Sequence, residues 1–446
     1  MDMTPPTIAF TLDGKPVTAH PGETIWAAAK RHGVEIPHLC HSDPLRPVGN
    51  CRACMVEVEG ERVLAAACCR AVTPDMKVHA ASDRARAAQR GVVELLTARK
   101  PQRTDRVNDA LDHWAQRLGA DRSRYASAFQ SEAAQAAHWP QTPAADLSHP
   151  AISFNADACI QCIRCLRACR EEQGNDVIGL AGRGAAARIV FDQNAPMGES
   201  TCVACGECVQ ACPTGALAPA NGSWAKVSAR TVDSVCPYCG VGCALTYHLQ
   251  QDAQGQEHIA RVEGRDGVAN QGRLCVKGRF GFDYVANPAR LTKPLIRRDD
   301  APKNPGQVKL ADWRSVFREA TWDEALERAA GGLLHIRQQH GGGALAGFGS
   351  AKGTNEEAYL FQKLVRAGFG THNVDHCTRL CHASSVAALL EGIGSGAVSN
   401  PVKDALQADV ILIIGANPTV NHPVGATWMK NALKRGTRLI LADPRR

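Results

Sequence analysis

The sequence is poor in what a membrane protein, a disulfide scaffold or a nucleic-acid binder would need. Its apolar runs, Val410 to Ile414 among them, fall far short of the ~20 residues that cross a bilayer. Its start, Met-Asp-Met-Thr-Pro-Pro, shows neither the basic n-region nor the apolar h-region of a secretory leader, so a cytoplasmic location is expected. Aromatic residues make up 5% of the chain, and Lys and Arg are scattered, so the formal charge of +7 does not form the basic, aromatic-interleaved surface that nucleic acid requires. No GxGxxG is present, which removes the sequence signal for a flavin or nicotinamide site. Between residues 82 and 150 there is no cysteine at all.

Elsewhere cysteine is abundant. Nineteen of the 446 residues are Cys, clustered in CxxC-like runs that suit reduced metal ligands better than a disulfide framework. A length of 446 residues implies roughly three or more domains at about 150 residues each. Sixteen of the cysteines can be grouped in fours. Loaded with iron and sulfide, four such sets would add roughly eight negative charges and cancel the formal excess.

The first set follows two short hairpin patterns. Ile8, Phe10 and Leu12 alternate, Asp13-Gly14 turns the chain, and Val17 opens a return strand. Thr24 can cap a helix over 25–31 that Gly33 ends. Cys40, Cys51, Cys54 and Cys68 then appear as C-x10-C-x2-C-x13-C, with a second hairpin, 55–58 and 62–67, turning at Glu59-Gly60. This pattern predicts a β-grasp module over 1–80 holding a 2Fe-2S cluster, with Cys69 as the competing fourth ligand. Ser82 can cap a helix reaching 99 whose buried face is Val92, Val93, Leu95 and Leu96. Residues 81–150 are expected to be a helical region and linker, the linker lying at 135–150.

Residues 151–222 carry the most specific signal. Cys159-x2-Cys162-x2-Cys165-x3-Cys169 recurs as Cys202-x2-Cys205-x2-Cys208-x3-Cys212-Pro213, the bacterial two-cluster ferredoxin pattern, in which each fourth cysteine crosses to the other cluster. Cys159, Cys162, Cys165 and Cys212 therefore form one 4Fe-4S set, and Cys202, Cys205, Cys208 and Cys169 the other. The last set is Cys236, Cys239, Cys243 and Cys275, three thiols on a Gly-rich loop and a distant fourth. Structural zinc also takes four cysteines, but the neighbouring motifs argue for iron.

The amino-terminal pattern resembles the module shared by the large iron–sulfur subunit of respiratory complex I, iron-only hydrogenases and NAD-linked formate dehydrogenases. That likeness favours Cys68 over Cys69, because Val72 then falls at the family's valine. It also implies a His-x3-Cys-x2-Cys-x5-Cys site after the long helix; none follows here, so that cluster is expected to be missing and His113 and His138 are read as helix-surface residues. Whether the two-iron module passes electrons directly or moves on a tether is left open by that departure.

The stretch Asn373-Val-Asp-His376-Cys377-Thr-Arg379-Leu-Cys381-His382 closely resembles the metal-ligand loop of molybdenum or tungsten formate dehydrogenases. The resemblance gives Cys381 the metal-ligand role and His382 the adjacent catalytic role, and leaves Cys377 structural. It places Lys277, two residues after a cluster ligand, between cluster and pterin. Residues 344–348 read as a strand, 350–354 as a loop, and 355–367 as a helix with Ala358, Phe361, Leu364 and Val365 facing inward. Residues 409–414 read as a buried strand opening into Gly415-Ala-Asn417, with a helix over 424–435 and a strand over 438–442. By the same resemblance Gly415 and Asn417 contact the guanosine end of the pterin; Asp443, which ends the 438–442 strand, is read either as a contact to a ribose or guanine edge or as a simple turn residue.

Together these readings predict a multidomain α+β and α/β chain: a β-grasp 2Fe-2S ferredoxin module (1–80), a helical linker (81–150), a bacterial two-cluster 4Fe-4S ferredoxin module (151–222), a 4Fe-4S domain (230–290) and an incomplete α/β molybdopterin-binding domain (291–446). The resemblance implies one 2Fe-2S cluster, three 4Fe-4S clusters and a molybdenum or tungsten bis-molybdopterin guanine dinucleotide. It implies formate and carbon dioxide as substrate and product, flavin-containing NAD-reducing diaphorase subunits as partners, and neither nucleic acid nor a membrane span. The family's catalytic subunit continues well past residue 446, so this stretch is expected to load iron without holding the full metal–pterin group. The rival readings are another bis-pterin oxidoreductase, such as a nitrate reductase, and a non-catalytic electron-transfer subunit like that of complex I.

Overall fold

The computed structural model describes residues 7–99, 106, 109–126, 145–184, 187–225, 227–304 and 313–445. His138 and most of the expected 135–150 linker lie outside them. The chain divides into two compact units, Met1–Tyr284 with Pro401–Arg446, and Val285–Asn400. The span 291–446 is thus divided at Pro401, because the last stretch packs with the cysteine-rich unit.

In the first unit, β1 (Ile8–Leu12) and β2 (Lys15–Ala19) pair antiparallel. Their two-residue turn sets both Asp13 and Gly14 at positive φ, 46° and 77°, the twist that a tight hairpin demands. β3 (Met55–Val58), β4 (Ala65–Ala66) and β5 (Lys77–His79) complete a sheet of order β2-β1-β5-β3-β4, with β1 and β5 parallel. Helix α1 (Ile25–Arg31) lays Ile25, Trp26, Ala28 and Ala29 on its core, and Thr24 caps it by accepting from Ala27 N at 3.2 Å. The expected return strand over 62–67 is only the two residues of β4, as only Ala65 and Ala66 pair with β3.

Helix α2 (Asp83–Arg99) packs with α3 (Ala110–Leu118). Asp109 caps α3, and Gly119, at φ 60°, ends it. His113 is exposed on α3. In α2 the buried carboxylate of Glu94 receives Arg124 at 2.9 Å. Together the two helices cover an apolar cluster that includes Cys40 and Cys162.

Residues 151–222 form two short antiparallel ladders, β6 (Ile152–Phe154) with β9 (Leu217–Pro219) and β7 (Ile178–Ala181) with β8 (Arg188–Phe191). Their core carries Cys165, Cys169, Cys208 and Cys212 among Ile152, Phe191, Met197 and Leu217. Next, β10 (Arg230–Val235), β11 (Ala244–Gln251) and β12 (Glu257–Gly264) make a three-stranded antiparallel sheet. The helix Val276–Phe280 starts directly after Cys275.

β17 (Val410–Ile414) and β18 (Arg438–Ala442) form a parallel pair, joined through the helix Pro423–Leu433, which is slightly shorter than the predicted 424–435. Its Val424, Ala426, Trp428 and Ala432 are buried. β17 itself is not the buried strand that its composition predicts. Val410, Leu412 and Ile414 are 42%, 57% and 67% exposed, since its only ladder among the described residues is with β18.

In the second unit, β13 (Leu295–Arg297) pairs antiparallel with β14 (Phe317–Glu319), and β15 (Gly347–Gly349) pairs parallel with β16 (Val374–His376). The expected strand over 344–348 is later and shorter, because Gly342–Ala344 forms a 3-10 turn. The following helix runs Asn355–Lys363 and widens into a π-turn, Leu364–Phe369. Val365 is fully buried and Phe361 half-buried against Gly347, but Ala358 and Leu364 are exposed. No helix among the described residues is long and apolar enough to cross a membrane.

Gly206, at φ 72°, is closely enclosed beside Cys205, for an added Cβ would lie 2.0 Å from Arg279 Cδ. Gly222, at φ 67°, has nothing within 4 Å. Both alanine variants should suffer the backbone cost of about 1 kcal/mol, and Gly206→Ala should lose clearly more by displacing Arg279. Denaturant melts of Gly206→Ala, Gly222→Ala and the unsubstituted chain measure the difference.

Candidate metal centres

Four thiol sets lie in the first unit. In the first, Cys40 N donates to Cys51 Sγ and Cys51 N to Cys40 Sγ, each at 3.3 Å, while Cys54 and Cys68 sulfurs lie 3.4 Å apart. Cys40, Cys54 and Cys68 are buried and Cys51 is half-buried. Cys69 is exposed, its sulfur 3.6 Å from that of Cys68. Hydrogen bonding with Cys40, then burial, pushes the Cys51 thiol far up.

The two ferredoxin-like repeats share one backbone device. Gln161 and Ile163 flank Cys162 at φ 56° and 55°, and Ala204 and Gly206 flank Cys205 at φ 53° and 72°. This left-handed alternation turns amide N–H groups toward sulfur: Gln161 N donates to Cys159 Sγ and Ala204 N to Cys202 Sγ, both at 3.4 Å. For Ile163, β-branched, that φ is a strained conformation.

The fourth cysteines cross over. Cys159, Cys162, Cys165 and Cys212 line one cavity with Ile160, Ile163 and Thr214. Cys169 lies among Cys202, Cys205 and Cys208, and its charge acts on each of them. Burial, then the neighbouring thiols, pushes Cys165 and Cys208 well above the ordinary thiol value. In the last set, burial and then Cys236, Cys239 and Cys275 push Cys243 up to about 12.

These features suit iron–sulfur clusters. Amides donating to sulfur favour thiolates, and crowded buried thiols ionise only beside a cationic metal core. Among the described residues no three His, Cys, Asp or Glu side chains are arranged for a single metal ion.

The sets are bolted to one another by arginines that motif spacing passes over. Arg106 Nη1 donates to the Cys212 carbonyl at 2.7 Å and stacks on Trp224 at 4.1 Å. Arg279 Nε donates to the Cys205 carbonyl at 2.7 Å, and its guanidinium also pairs with the buried Glu207. Glu207 in turn accepts from Leu274 N at 2.9 Å, next to Cys275. Arg167 donates to the carbonyls of Cys40 and Arg46. A second buried pair, Arg273 with Glu172 at 2.7 Å, lies beside these, and Arg273 stacks on Trp428 at 3.9 Å. Burial dominates there and raises Glu172 to about 7 despite Arg273. Arg167 and Arg279 show in the sequence as cations inside or just after a cysteine run, whereas Arg106 lies in the cysteine-free stretch and carries no such sign.

Lys277 Nζ reaches the Val420 carbonyl at 3.5 Å, so the helix after Cys275 meets the loop after β17. In that loop Gly415 has φ 59° and donates to the Ala442 carbonyl at 2.8 Å. Asn417 caps the turn Pro418–Asn421 by accepting from Val420 N. Asp443 accepts from Arg445 N at 2.8 Å. Gly415 and Asn417 thus sit just past the carboxyl end of a parallel strand, the side of an open α/β sheet on which ligands bind.

In the second unit, Cys377 follows β16 directly and its sulfur accepts from Ala351 N at 3.2 Å. The helix Thr378–Cys381 comes next, braced by Arg379 with Asp375 at 3.0 Å, and His382 separates it from the helix Ala383–Ile393. Cys381 and His382 are both exposed. A soft, accessible thiol such as Cys381 has the donor chemistry for a molybdenum or tungsten ligand.

Four family models match the chain in sequence order. Residues 6–83 match a 2Fe-2S iron–sulfur cluster binding domain, 149–218 the ferredoxin-like domain of NADH-quinone oxidoreductase subunit 3, 229–287 the molybdopterin oxidoreductase Fe4S4 domain, and 290–446 molybdopterin oxidoreductase. A Staphylococcus haemolyticus protein provisionally named a formate dehydrogenase is 29% identical over 96% of this chain and 45% of its own. A Bacillus subtilis protein with the same provisional name is 30% identical over 99% and 47%. The NADPH-Fe(3+) oxidoreductase subunit alpha of Geobacter sulfurreducens is 32% identical over 98% and 48%. The chain spans about half the length of these relatives.

If Cys68 completes the first set, Cys68→Ala should abolish the two-iron EPR and visible signals while Cys69→Ala keeps them. Spectra of both variants, purified anaerobically, check this; the opposite pattern would make Cys69 the ligand.

Proposed function

Residues 229–446 belong to the molybdopterin oxidoreductase family and follow iron–sulfur domains, and from that premise we propose that the chain is part of the catalytic subunit of an NAD-linked molybdenum or tungsten formate dehydrogenase. The observation that carries this reading is the exposed Cys381-His382 pair, at the end of the short helix that follows β16. The provisional names of the Staphylococcus and Bacillus relatives support it. The reaction is the oxidation of formate to carbon dioxide, in the cytoplasm, with electrons leaving toward NAD through flavin-containing diaphorase subunits.

A bound molybdenum or tungsten bis-pterin guanine dinucleotide would supply the two-electron chemistry. Cys381 would hold the metal as a thiolate. His382, next in sequence, would hold or accept a proton at its imidazole beside that thiolate. Gly415, Asn417 and Asp443 would take the nucleotide end, and Lys277 would span from the Cys275 helix to their loop. Protein contacts order the thiol sets as Cys236, Cys202, Cys159 and Cys40. That order suits single-electron carriers leading from a two-electron site to a partner.

The name of the Geobacter relative favours a second reading, an alpha subunit exchanging electrons between NADPH and ferric iron. A viologen-dye assay on the full-length protein with formate, and with nitrate as the competing substrate, separates the readings. Formate-dependent dye reduction is expected, and Cys381→Ala should abolish it, at least a hundredfold, with iron content intact. Retained formate activity in Cys381→Ala would remove the proposed ligand. Activity with nitrate alone, or NADPH-dependent ferric reduction untouched by the substitution, would replace the formate reading.

A further inference from the structure

Arg167 is 3% exposed. One guanidinium nitrogen donates to the carbonyl of Cys40, in the two-iron set, and another to the carbonyl of Arg46. It lies on the short helix Arg164–Arg167, between Cys165 of the first four-iron set and Cys169 of the second. Arg164 sits one turn earlier and donates to the Leu39 carbonyl at 3.4 Å. Across the same boundary Asn50 Nδ2 donates to the Gln161 carbonyl at 3.0 Å, and Cys40, Cys51, Ile160 and Cys162 share one apolar cluster.

The charge balance here is unusual. Arg279 and Arg273, also buried, each have a carboxylate partner, Glu207 and Glu172. Among the described residues no Asp or Glu lies within salt-bridge distance of Arg164 or Arg167, and the Nε of each is buried without an acceptor. A buried, uncompensated guanidinium is strongly unfavourable. Such a cation is tolerable where an anion belongs beside it, and the anions available on both sides are thiolate-ligated iron–sulfur sets.

We propose that Arg167, assisted by Arg164, is the shared counter-cation of the Cys40 and Cys159 thiol sets, a positioning residue that docks the two-iron site directly against the first four-iron site and raises the two-iron reduction potential. The inference rests on the reading that both sets carry iron. A cation close to a cluster stabilises its reduced, more negative form, so removing the charge lowers the potential. The fork that grips two carbonyls fixes the separation of the two sites, which a single ammonium cannot reproduce.

Arg167→Met and Arg167→Lys in the full chain separate charge from docking. Iron content, EPR-monitored redox titration of the two-iron signal, and its spin relaxation by the neighbouring reduced cluster are the readouts. Arg167→Met should keep its iron, shift the two-iron reduction equilibrium about tenfold toward the oxidised form, close to 59 mV for one electron, and slow the relaxation. Arg167→Lys should restore most of the potential but not the fast relaxation. A Met variant that keeps iron, potential and relaxation unchanged would overturn the proposal. Should the Met variant lose its iron, the Lys variant decides: unchanged relaxation there contradicts the docking role. An unsubstituted chain without a two-iron signal would instead overturn the underlying reading of the Cys40 set.

Discussion

Sixteen thiols held in four buried or half-buried sets within one compact unit are the constraint from which the rest follows. Left as free thiols they would be crowded, mutually repelling on ionisation, and raised in pKa by burial, as Cys165, Cys208 and Cys243 are. A cationic iron core resolves that conflict, since it favours the thiolate form, and the thiolate sulfurs accept the amide hydrogen bonds around them. The positive-φ residues about Cys162 and Cys205, one pair with glycine and one without, show how far the backbone is bent to that end. The strands here are short, and the cysteine loops carry much of the organisation of residues 151–222.

Neighbouring sets are joined by polar contacts that cross between modules. Arg279 and Glu207 join the Cys205 loop to the Cys275 helix, and Arg167 joins the Cys40 loop to the first ferredoxin-like helix. Helices α2 and α3 pack with the cluster that holds Leu39, Cys40 and Cys162. Arg167 and Asn50 hydrogen-bond across to join the Cys40 region to the first ferredoxin-like repeat.

Much of this was legible in the sequence where the signal is local. The Asp13-Gly14 turn, the Thr24 cap and the cysteine spacings depend on residues a few positions apart, and all of these local elements appear at the expected places. What was not legible depends on contacts distant in sequence. The burial expected for Val410, Leu412 and Ile414 follows from composition, but burial needs a covering layer, and among the described residues β17 pairs only with β18. The inward stripe of the 355–367 helix holds only at Phe361 and Val365, for Ala358 and Leu364 are exposed and the helix widens into a π-turn from Leu364. Arg106, Arg167 and Arg279 look like ordinary cations until folding brings each to a cysteine carbonyl. At the candidate reaction site, Cys381 and His382 were marked by resemblance, while the brace of Arg379 on Asp375 and the anchoring of Cys377 by Ala351 needed coordinates.

The central claim is that the four cysteine sets are iron–sulfur sites forming one electron route, and metal content tests it most directly. Elemental analysis of anaerobically purified protein for iron, zinc, molybdenum and tungsten should find about 14 iron atoms per chain, three four-iron clusters and one two-iron cluster, with little zinc. Substoichiometric iron accompanied by several zinc atoms per chain would contradict the account, because the thiol sets would then be structural ligands with no capacity to carry electrons.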